Sequence, residues 1–219
     1  MVQPTDQFAI HNSQLSIQTE GLSKRFNKEW IFQNLNYTFE SGKIYAITGP
    51  NGSGKSTLMQ VLWGQLPQSS GLIKYSSVNK NIPVEEIFSH VSMATPYMDL
   101  IEEFTLEEQL HFHFRVRQIR NGFTVESILD KLYLTDARAK TITNFSSGMK
   151  QRLKLGLAFY TESSILFLDE PGTNLDDKAF NWYQDNLKQL PKDRLIFIAS
   201  NQRTEYPENA EVVNLMSFK

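Results

Sequence analysis

The chain has 219 residues, of which 40% are hydrophobic and 21% are charged, and none is cysteine. These values are typical of one globular domain with its own core, and they exclude disulfide bonds and thiolate metal sites. A net charge of −2 argues against a global positive field that would attract nucleic acid or anionic lipid.

The first part of the chain alternates apolar and polar residues, which is typical of β-strands. A Ser41-Gly42 pair separates two of these segments. A helix is predicted over 55–63, where it ends near Gly64. The predicted strands are 15–22, 31–39, 43–48, 72–75 and 90–94.

From residue 105 onward the pattern is mainly helical, and Thr105 and Glu108 have the spacing of a capping box. Two later strands are apolar on both faces, as a parallel sheet covered by helices requires. We predict an α/β fold with a mainly parallel sheet flanked by helices, an N-terminal antiparallel β-subdomain and a helical insert. It would form a single domain over 1–219, with the helical subdomain inserted at about 95–160. The further elements are helices within 105–134, including one at 124–132, then helix 147–160, strand 165–168, a crossover helix 178–190 and strand 195–198.

A glycine-rich loop connects the strand 43–48 to the helix 55–63, which is the context that the phosphate-binding P-loop pattern requires. Its glycines allow backbone conformations that a Cβ would forbid, so that successive N–H groups can face the phosphates. We expect Lys55 to reach the β- and γ-phosphates of ATP, and the Ser56 hydroxyl to bind Mg²⁺. The predicted ATP-contacting residues are Gly49, Pro50, Asn51, Gly52, Ser53, Gly54, Lys55, Ser56 and Thr57.

Two adjacent carboxylates, Asp169 and Glu170, close the apolar strand 165–168. The carboxyl end of a parallel strand lies at the edge of the sheet where ligands bind, so these residues are expected beside the P-loop. Because side chains alternate along a strand, the two carboxylates face different targets. We expect Asp169 to orient Mg²⁺ through its water shell, and Glu170 to act as the general base or to position the attacking water.

The segment 145–152, Phe-Ser-Ser-Gly-Met-Lys-Gln-Arg, resembles the signature sequence of ATP-binding-cassette (ABC) ATPases, usually written LSGGQ. The segment 168–176, Leu-Asp-Glu-Pro-Gly-Thr-Asn-Leu-Asp, resembles the Asp-Glu-Pro and D-loop run of the same family. With the P-loop and the helical insert in the family's order, the resemblance covers nearly the whole chain. It implies a P-loop NTPase fold and the ATPase subunit of an ABC transporter.

The resemblance adds residues to the expected ATP site. In this family the start of the signature helix contacts the γ-phosphate held by a second cassette, so that two cassettes enclose two nucleotides head to tail. The matching positions here are Ser146, Ser147 and Gly148, at a helix start whose free N–H groups favour an anion. Phe26 matches the aromatic residue that stacks on adenine, and Trp30 is a nearby competitor for that role.

The chain departs from the family pattern at three places. The signature has Phe145, Ser147 and Met149 where Leu, Gly and Gln are usual. Asn201 stands where a histidine usually contacts the γ-phosphate, and because an amide carries no charge we expect slow hydrolysis. The stretch 94–98 lacks the glutamine that usually touches Mg²⁺ and links the nucleotide site to the transport partner.

Three functions are compatible with these features. The first is an ATP-hydrolysing subunit that docks on a separately encoded transmembrane permease and works as a homodimer or heterodimer of cassettes. It would be cytoplasmic and peripheral on the inner face of the cell membrane, since no apolar run of the sequence is long enough to cross a bilayer. The second, a soluble ABC ATPase acting on nucleic acid or ribosomes, is disfavoured by the mild negative charge. The third is a nucleotide-gated regulatory module with slow hydrolysis, which Asn201 and the missing glutamine suggest.

Overall fold

The computed structural model describes residues 14–78 and 80–219. These residues form a five-stranded sheet and a four-stranded sheet, with helices packed on the larger one. The strands are β1 Ser16–Phe26, β2 Glu29–Glu40, β3 Ile44–Thr48, β4 Ser70–Ser77, β5 Lys80–Ile82, β6 Val91–Ala94, β7 Ile165–Asp169, β8 Leu195–Ala199 and β9 Glu211–Asn214. The α-helices are α1 Lys55–Leu62, α2 Leu106–Val116, α3 Val125–Lys131, α4 Ser147–Tyr160 and α5 Asp177–Lys188.

The larger sheet is parallel throughout, with the strand order β6-β7-β8-β3-β9. Its strands alternate between two cores. Phe167 and Phe197 stack at 4.7 Å between ring centroids on the face covered by α1, while Leu168 and Ile198 face the core that α4 and α5 cover. The predicted parallel sheet is therefore confirmed, and α5 is the predicted crossover between β7 and β8.

The smaller sheet is antiparallel, in the order β2-β1-β4-β5, and confirms the predicted N-terminal β-subdomain. Strand β1 extends to Phe26, four residues beyond its predicted end, and β2 begins at Glu29, two residues before its predicted start. They can do so because Asn27 adopts a left-handed conformation (φ 53°) that closes a tight hairpin. The three-residue strand β5 was not predicted.

The segment between β6 and α4 contains the short helices α2 and α3. The predicted capping box is present, since Thr105 Oγ1 accepts from the Glu108 N–H at 3.2 Å and Glu108 Oε2 accepts from the Thr105 N–H at 2.8 Å. The helical prediction for 105–134 holds only in part, because α2 ends at Val116 and the chain turns through Gly122 (φ 87°) before α3. Within residues 14–78 and 80–219, no helix combines the length and apolar character needed to cross a bilayer.

Candidate nucleotide-binding site

The P-loop occupies the turn between β3, which ends at Thr48, and α1, which begins at Lys55. Two of its glycines are required by close packing as well as by conformation. A Cβ on Gly49 would lie 2.7 Å from Ser53 Oγ, and a Cβ on Gly54, where φ is 101°, would overlap Ile31 of the neighbouring β-subdomain. The loop is therefore fixed in an open turn whose N–H groups precede the helix start, an arrangement that favours anions.

Lys55 is buried, and its ammonium group lies inside this turn. Nζ donates to the carbonyl oxygens of Gly49 at 3.0 Å and Pro50 at 3.3 Å. Among the ion pairs of the described residues, none involves Lys55. Its positive charge is thus held at the loop without a carboxylate partner, which suits an anionic ligand.

Asp169 lies at the carboxyl end of β7, with β8 between its strand and the P-loop strand. Its side chain is 2% exposed, and neither carboxylate oxygen makes a hydrogen bond of acceptable geometry in the part of the chain that the structure describes, so the Ser56 hydroxyl acts on it without such a bond. Burial raises the pKa of Asp169 and Glu170 adds to the rise, whereas the Ser56 hydroxyl and the Lys55 ammonium oppose it. A buried carboxylate in this condition is costly unless a cation or donor joins it, so Asp169 and Ser56 fit a Mg²⁺ ion.

Neighbouring carboxylates or histidines do not complete a separate metal centre, since no cluster of three or more such residues occurs in the described ranges. A cation beside Asp169 would therefore be held by one carboxylate, one hydroxyl, water and ligand oxygens. Mg²⁺ keeps several waters and binds through one or two protein ligands plus phosphates, which matches this donor set.

Glu170 follows Asp169 and leaves the strand in a left-handed conformation, with φ at 47°. Its N–H donates to the Ala199 carbonyl at 2.9 Å, and its carbonyl accepts from the Thr173 N–H at 3.1 Å. A residue with a side chain is held in this conformation only when its surroundings impose it, and such strain is common at functional sites. The turn after β7 therefore holds the backbone of Glu170, which carries the candidate base, in one strained conformation.

Asn201 follows β8 at the same edge of the sheet. Its Nδ2 donates to Oδ1 of Asn51 in the P-loop at 3.1 Å, and the preceding Ser200 N–H bonds to the Ile47 carbonyl at 3.1 Å. The structure therefore brings Asn201 to the phosphate loop. Asn201 and Asn51 are both exposed there.

The signature residues lie at the start of α4. Ser146 is the N-cap, and its Oγ accepts from the Met149 N–H at 3.2 Å. Ser146 and Ser147 are exposed, and no hydrogen bond between described residues joins them to the P-loop of the same chain. A Cβ on Gly148 would lie 2.8 Å from the Asn174 carbonyl oxygen, so this glycine lets α4 pack against the turn after Glu170.

Phe26 and Trp30 lie on the β1–β2 hairpin, which reaches the P-loop through Ile31. Phe26 is 46% exposed and Trp30 is 36% exposed, so both rings are accessible to a base. The Lys24 ammonium lies 5.0 Å from the Phe26 ring centroid, and the Arg25 guanidinium lies 5.3 Å from that of Trp30. Stacking of adenine on Phe26 stays a prediction, with Trp30 as its competitor.

Three contacts around the site were not predicted from sequence. Lys154 on α4 donates to the carbonyl of Pro96 at 3.2 Å, so α4 holds the loop after β6 that lacks the usual glutamine. Gln151 donates to the Pro171 carbonyl at 3.0 Å, and the buried Glu205 accepts from the Gly172 N–H at 3.2 Å. These pairs are between 20 and 58 residues apart, and local sequence pattern contains no signal for them.

A family model described as ABC transporter matches residues 32–173, more than half of the chain. The uncharacterized ABC transporter ATP-binding protein YybJ of Bacillus subtilis is 29% identical over 191 residues, covering 86% of this chain and 86% of YybJ. Two further relatives are each 28% identical over 202 residues: the uncharacterized ABC transporter ATP-binding protein YcbN of B. subtilis and the bacitracin transport ATP-binding protein BcrA of Enterococcus faecalis. These matches cover 91% of this chain but only 66% of YcbN and of BcrA, so the chain is shorter than those two relatives.

Solved structures show the same fold. An ABC transporter ATP-binding protein from Pyrococcus furiosus superposes with a TM-score of 0.77 at 19% identity, covering 93% of this chain and 98% of that one. A bacterial Atm1-family ABC exporter with ATP bound superposes with a TM-score of 0.78 at 16% identity, covering 98% of this chain and 39% of the exporter.

Proposed function

Since this chain belongs to the ABC transporter family of ATP-binding proteins, we propose that it hydrolyses ATP to drive transport by a separate membrane subunit. The observation that carries the proposal is Asp169, a buried carboxylate without a hydrogen-bond partner among the described residues. The Ser56 hydroxyl and the Lys55 ammonium both oppose the rise in the pKa of Asp169, which supports the proposal that the three groups act at one site. A carboxylate, a hydroxyl and an ammonium group beside a P-loop are the parts that phosphoryl transfer needs.

Binding of ATP would use the P-loop N–H groups and Lys55. The ammonium group would exchange its bonds to the Gly49 and Pro50 carbonyls for bonds to phosphate oxygens, which are stronger because both partners are charged. Ser56 and Asp169 would hold Mg²⁺, which neutralises charge on the phosphates. Phe26 would stack on the adenine ring.

Hydrolysis would use Glu170 as the general base. Its carboxylate would take a proton from the water that attacks the γ-phosphorus. A bond forms between that phosphorus and the water oxygen, and the bond to the β–γ bridging oxygen breaks, releasing ADP. Asn201 would donate a hydrogen bond to the γ-phosphate from the other side of the P-loop.

A second copy of a cassette would complete the site. Ser146, Ser147 and Gly148 stand at the positive end of α4, and the first two are exposed. We propose that they contact the γ-phosphate held by the opposite cassette, in a head-to-tail homodimer or heterodimer. Closure of this dimer on ATP would be the step that moves the membrane subunit.

The membrane subunit would dock near the loop after β6. Phe88, Tyr97 and Val116, which lie before β6, in that loop and at the end of α2, are 66%, 73% and 74% exposed. Arg117 ties two of these segments together by donating to the Phe88 carbonyl at 3.1 Å. Exposed apolar side chains of this kind favour contact with another protein.

The test is ATP turnover by the purified chain and its Glu170→Gln variant. We expect the variant to bind ATP but to hydrolyse it about 100-fold more slowly or worse, because a general base contributes about 10²–10⁴-fold. Glu208→Gln, at an exposed glutamate outside the site, is the matched control and should behave like the wild type. Near-normal turnover in Glu170→Gln would contradict the assignment of the base. Recovery of the chain with an integral membrane protein tests the transport role.

A regulatory module with slow hydrolysis is the second candidate, favoured by Asn201 in place of a charged donor. The two candidates differ in turnover when the membrane subunit is present. A transporter subunit should be stimulated by its partner and by transported substrate, whereas a regulatory module should hydrolyse slowly in both states.

A further inference from the structure

One peptide unit, between Pro171 and Gly172, is held from both sides. Its C=O accepts from Gln151 Nε2 at 3.0 Å, and its N–H donates to Glu205 Oε1 at 3.2 Å. Gln151 belongs to α4, and Glu205 belongs to the turn after β8. The peptide unit is thus fixed by two side chains from elements that are far apart in sequence.

The Glu205 side of this contact is rigid. Glu205 is 2% exposed, and its own carbonyl accepts from the buried Tyr183 hydroxyl at 2.6 Å. A Cβ on Gly172 would overlap Glu205 Oε1 and lie 2.9 Å from Phe180 Cε2, so the turn fits here only as glycine. Close packing of this kind leaves the peptide unit one position.

This peptide unit and its bonds to Gln151 and Glu205, together called the clamp, begin one residue after Glu170, whose left-handed backbone (φ 47°) needs support from its surroundings. Loss of the two bonds would let the turn relax and would change the direction in which the Glu170 side chain leaves the backbone. Gln151 comes three residues after Gly148, and Glu205 comes four residues after Asn201. Gln151 and Glu205, the two arms of the clamp, therefore each lie a few residues after a segment that is proposed to contact the γ-phosphate.

We infer that Gln151 and Glu205 are positioning residues that set the orientation of Glu170 through the Pro171–Gly172 peptide. The inference rests on the proposed hydrolysis by Glu170. The two arms connect the start of α4 and the end of β8 to the turn that carries Glu170. A movement of either segment is therefore transmitted to Glu170. The effect falls on turnover, because neither side chain is placed at the nucleotide.

The kinetic test compares Gln151→Ala and Glu205→Ala with the wild-type full-length chain. We expect kcat to fall about 10- to 100-fold with the KM for ATP within about twofold, since a small misplacement of a catalytic group has effects of this size. Glu205→Gln keeps an oxygen that accepts from Gly172 and should recover most of the rate. Gln184→Ala removes a neighbouring bond to the Thr204 carbonyl and is the matched control, expected to leave kcat unchanged.

A second comparison places both alanine variants in the Glu170→Gln background. If the clamp acts through Glu170, neither variant lowers the residual single-turnover rate any further. A further loss of rate in that background, or an equal rise in KM and fall in kcat, would show a general structural role and overturn the inference.

Hydrogen exchange tests the clamp without relying on catalysis. In nucleotide-free protein, either alanine variant should speed exchange in a peptide covering 170–176, while the strands β3 and β8 keep their protection. Unchanged exchange in 170–176 would overturn the inference whatever the kinetics. An inactive wild-type chain with its membrane partner present would instead contradict the proposed function, and exchange would still decide the clamp.

Discussion

The side-chain amide of Asn201 donates a hydrogen bond to Oδ1 of Asn51, with 3.1 Å between the two atoms. The bond joins the end of β8 to the P-loop, two segments 150 residues apart. Because both side chains are exposed, the bond contributes no more than a modest free energy, about 1 kcal/mol. A phosphate group that enters the loop can therefore compete for the Asn201 amide.

Asn201→His should raise ATP turnover. A protonated imidazole gives a charge-assisted hydrogen bond that is stronger by about 1 kcal/mol than the amide bond, or roughly fivefold in rate. Steady-state kcat of the purified chain is the measurement, with Asn209→His at an exposed asparagine as control. An unchanged or lower rate in Asn201→His would count against a γ-phosphate contact at this position.

Asp169→Asn should stabilise the nucleotide-free chain. Burial raises the pKa of Asp169 above its ordinary value of 3.8, so the folded state holds this proton more tightly than the unfolded state. Stability is therefore lost as the pH rises from 3.8 through the raised value, and the ionised carboxylate is a net cost at neutral pH. Thermal melting at neutral pH should show a higher Tm, by about 2–4 °C for each kcal/mol.

The same variant should lose most of the extra stabilisation that Mg²⁺ adds to ATP, because a neutral amide oxygen binds the ion more weakly than a carboxylate does. Asp136→Asn, at an exposed aspartate, is the control and should change neither the nucleotide-free Tm nor the Mg²⁺ effect. A wild-type response to Mg²⁺ in Asp169→Asn would remove this residue from the proposed metal site.

His113→Gln should make the fold less sensitive to acid. Burial, with a smaller effect of the Arg117 charge, lowers the pKa of His113 to about 4 from its ordinary value of 6.5. The folded state thus binds this proton less tightly, so stability is complete above pH 6.5 and is lost as the pH falls towards 4. The imidazole Nε2 lies 2.9 Å from the Thr161 hydroxyl, an interaction that a glutamine amide can replace.

Melting curves at pH 7 and pH 5 check this point. The drop in Tm between the two should be smaller in His113→Gln than in the wild type. His111→Gln provides the control, because the His111 side chain is exposed on the same helix. An equal drop in all three proteins would mean that His113 does not set the acid limit.

Lys154→Met should loosen the loop after β6. The variant keeps the apolar length of the side chain but removes the donor to the Pro96 carbonyl, a bond of about 0.5–1.5 kcal/mol. Hydrogen exchange in a peptide covering 94–99 should become faster, and Lys154→Arg should restore protection. Lys192→Met, at an exposed lysine, should leave this peptide unchanged; the same result in Lys154→Met would show that the contact does not order the loop.

The segments that were predicted correctly have sequence patterns that depend on their immediate structural environment alone. Strands β7 and β8 are apolar on both faces because helices cover both faces of the sheet, and runs this short favour buried strands over helices. The start of α4 was predicted at Ser147, where the structure has it, because Ser146 caps the helix locally.

The segments that were missed are short or depend on distant contacts. Strand β9 has four residues and only Val213 is buried in it, so its pattern is too brief to distinguish from a loop. Strand β5 has three residues and exists because β4 provides its hydrogen bonds. The basic residues of α4 have a sequence pattern typical of a solvated surface, yet they are only partly exposed and Lys154 bonds to a loop 58 residues away.

The sequence by itself determined the P-loop, the acidic end of β7 and the signature segment, because each is a short run of consecutive residues that can be recognised without knowing its distant contacts. Only the tertiary structure decided which groups meet at the site. The bond between Asn201 and Asn51 and the two bonds to the Pro171–Gly172 peptide join different elements, and the tertiary packing leaves the Asp169 carboxylate buried without a hydrogen-bond partner among the described residues. The parallel sheet places the carboxyl ends of β3, β7 and β8 at one edge, and packing then fixes side-chain pairs that sequence spacing does not encode.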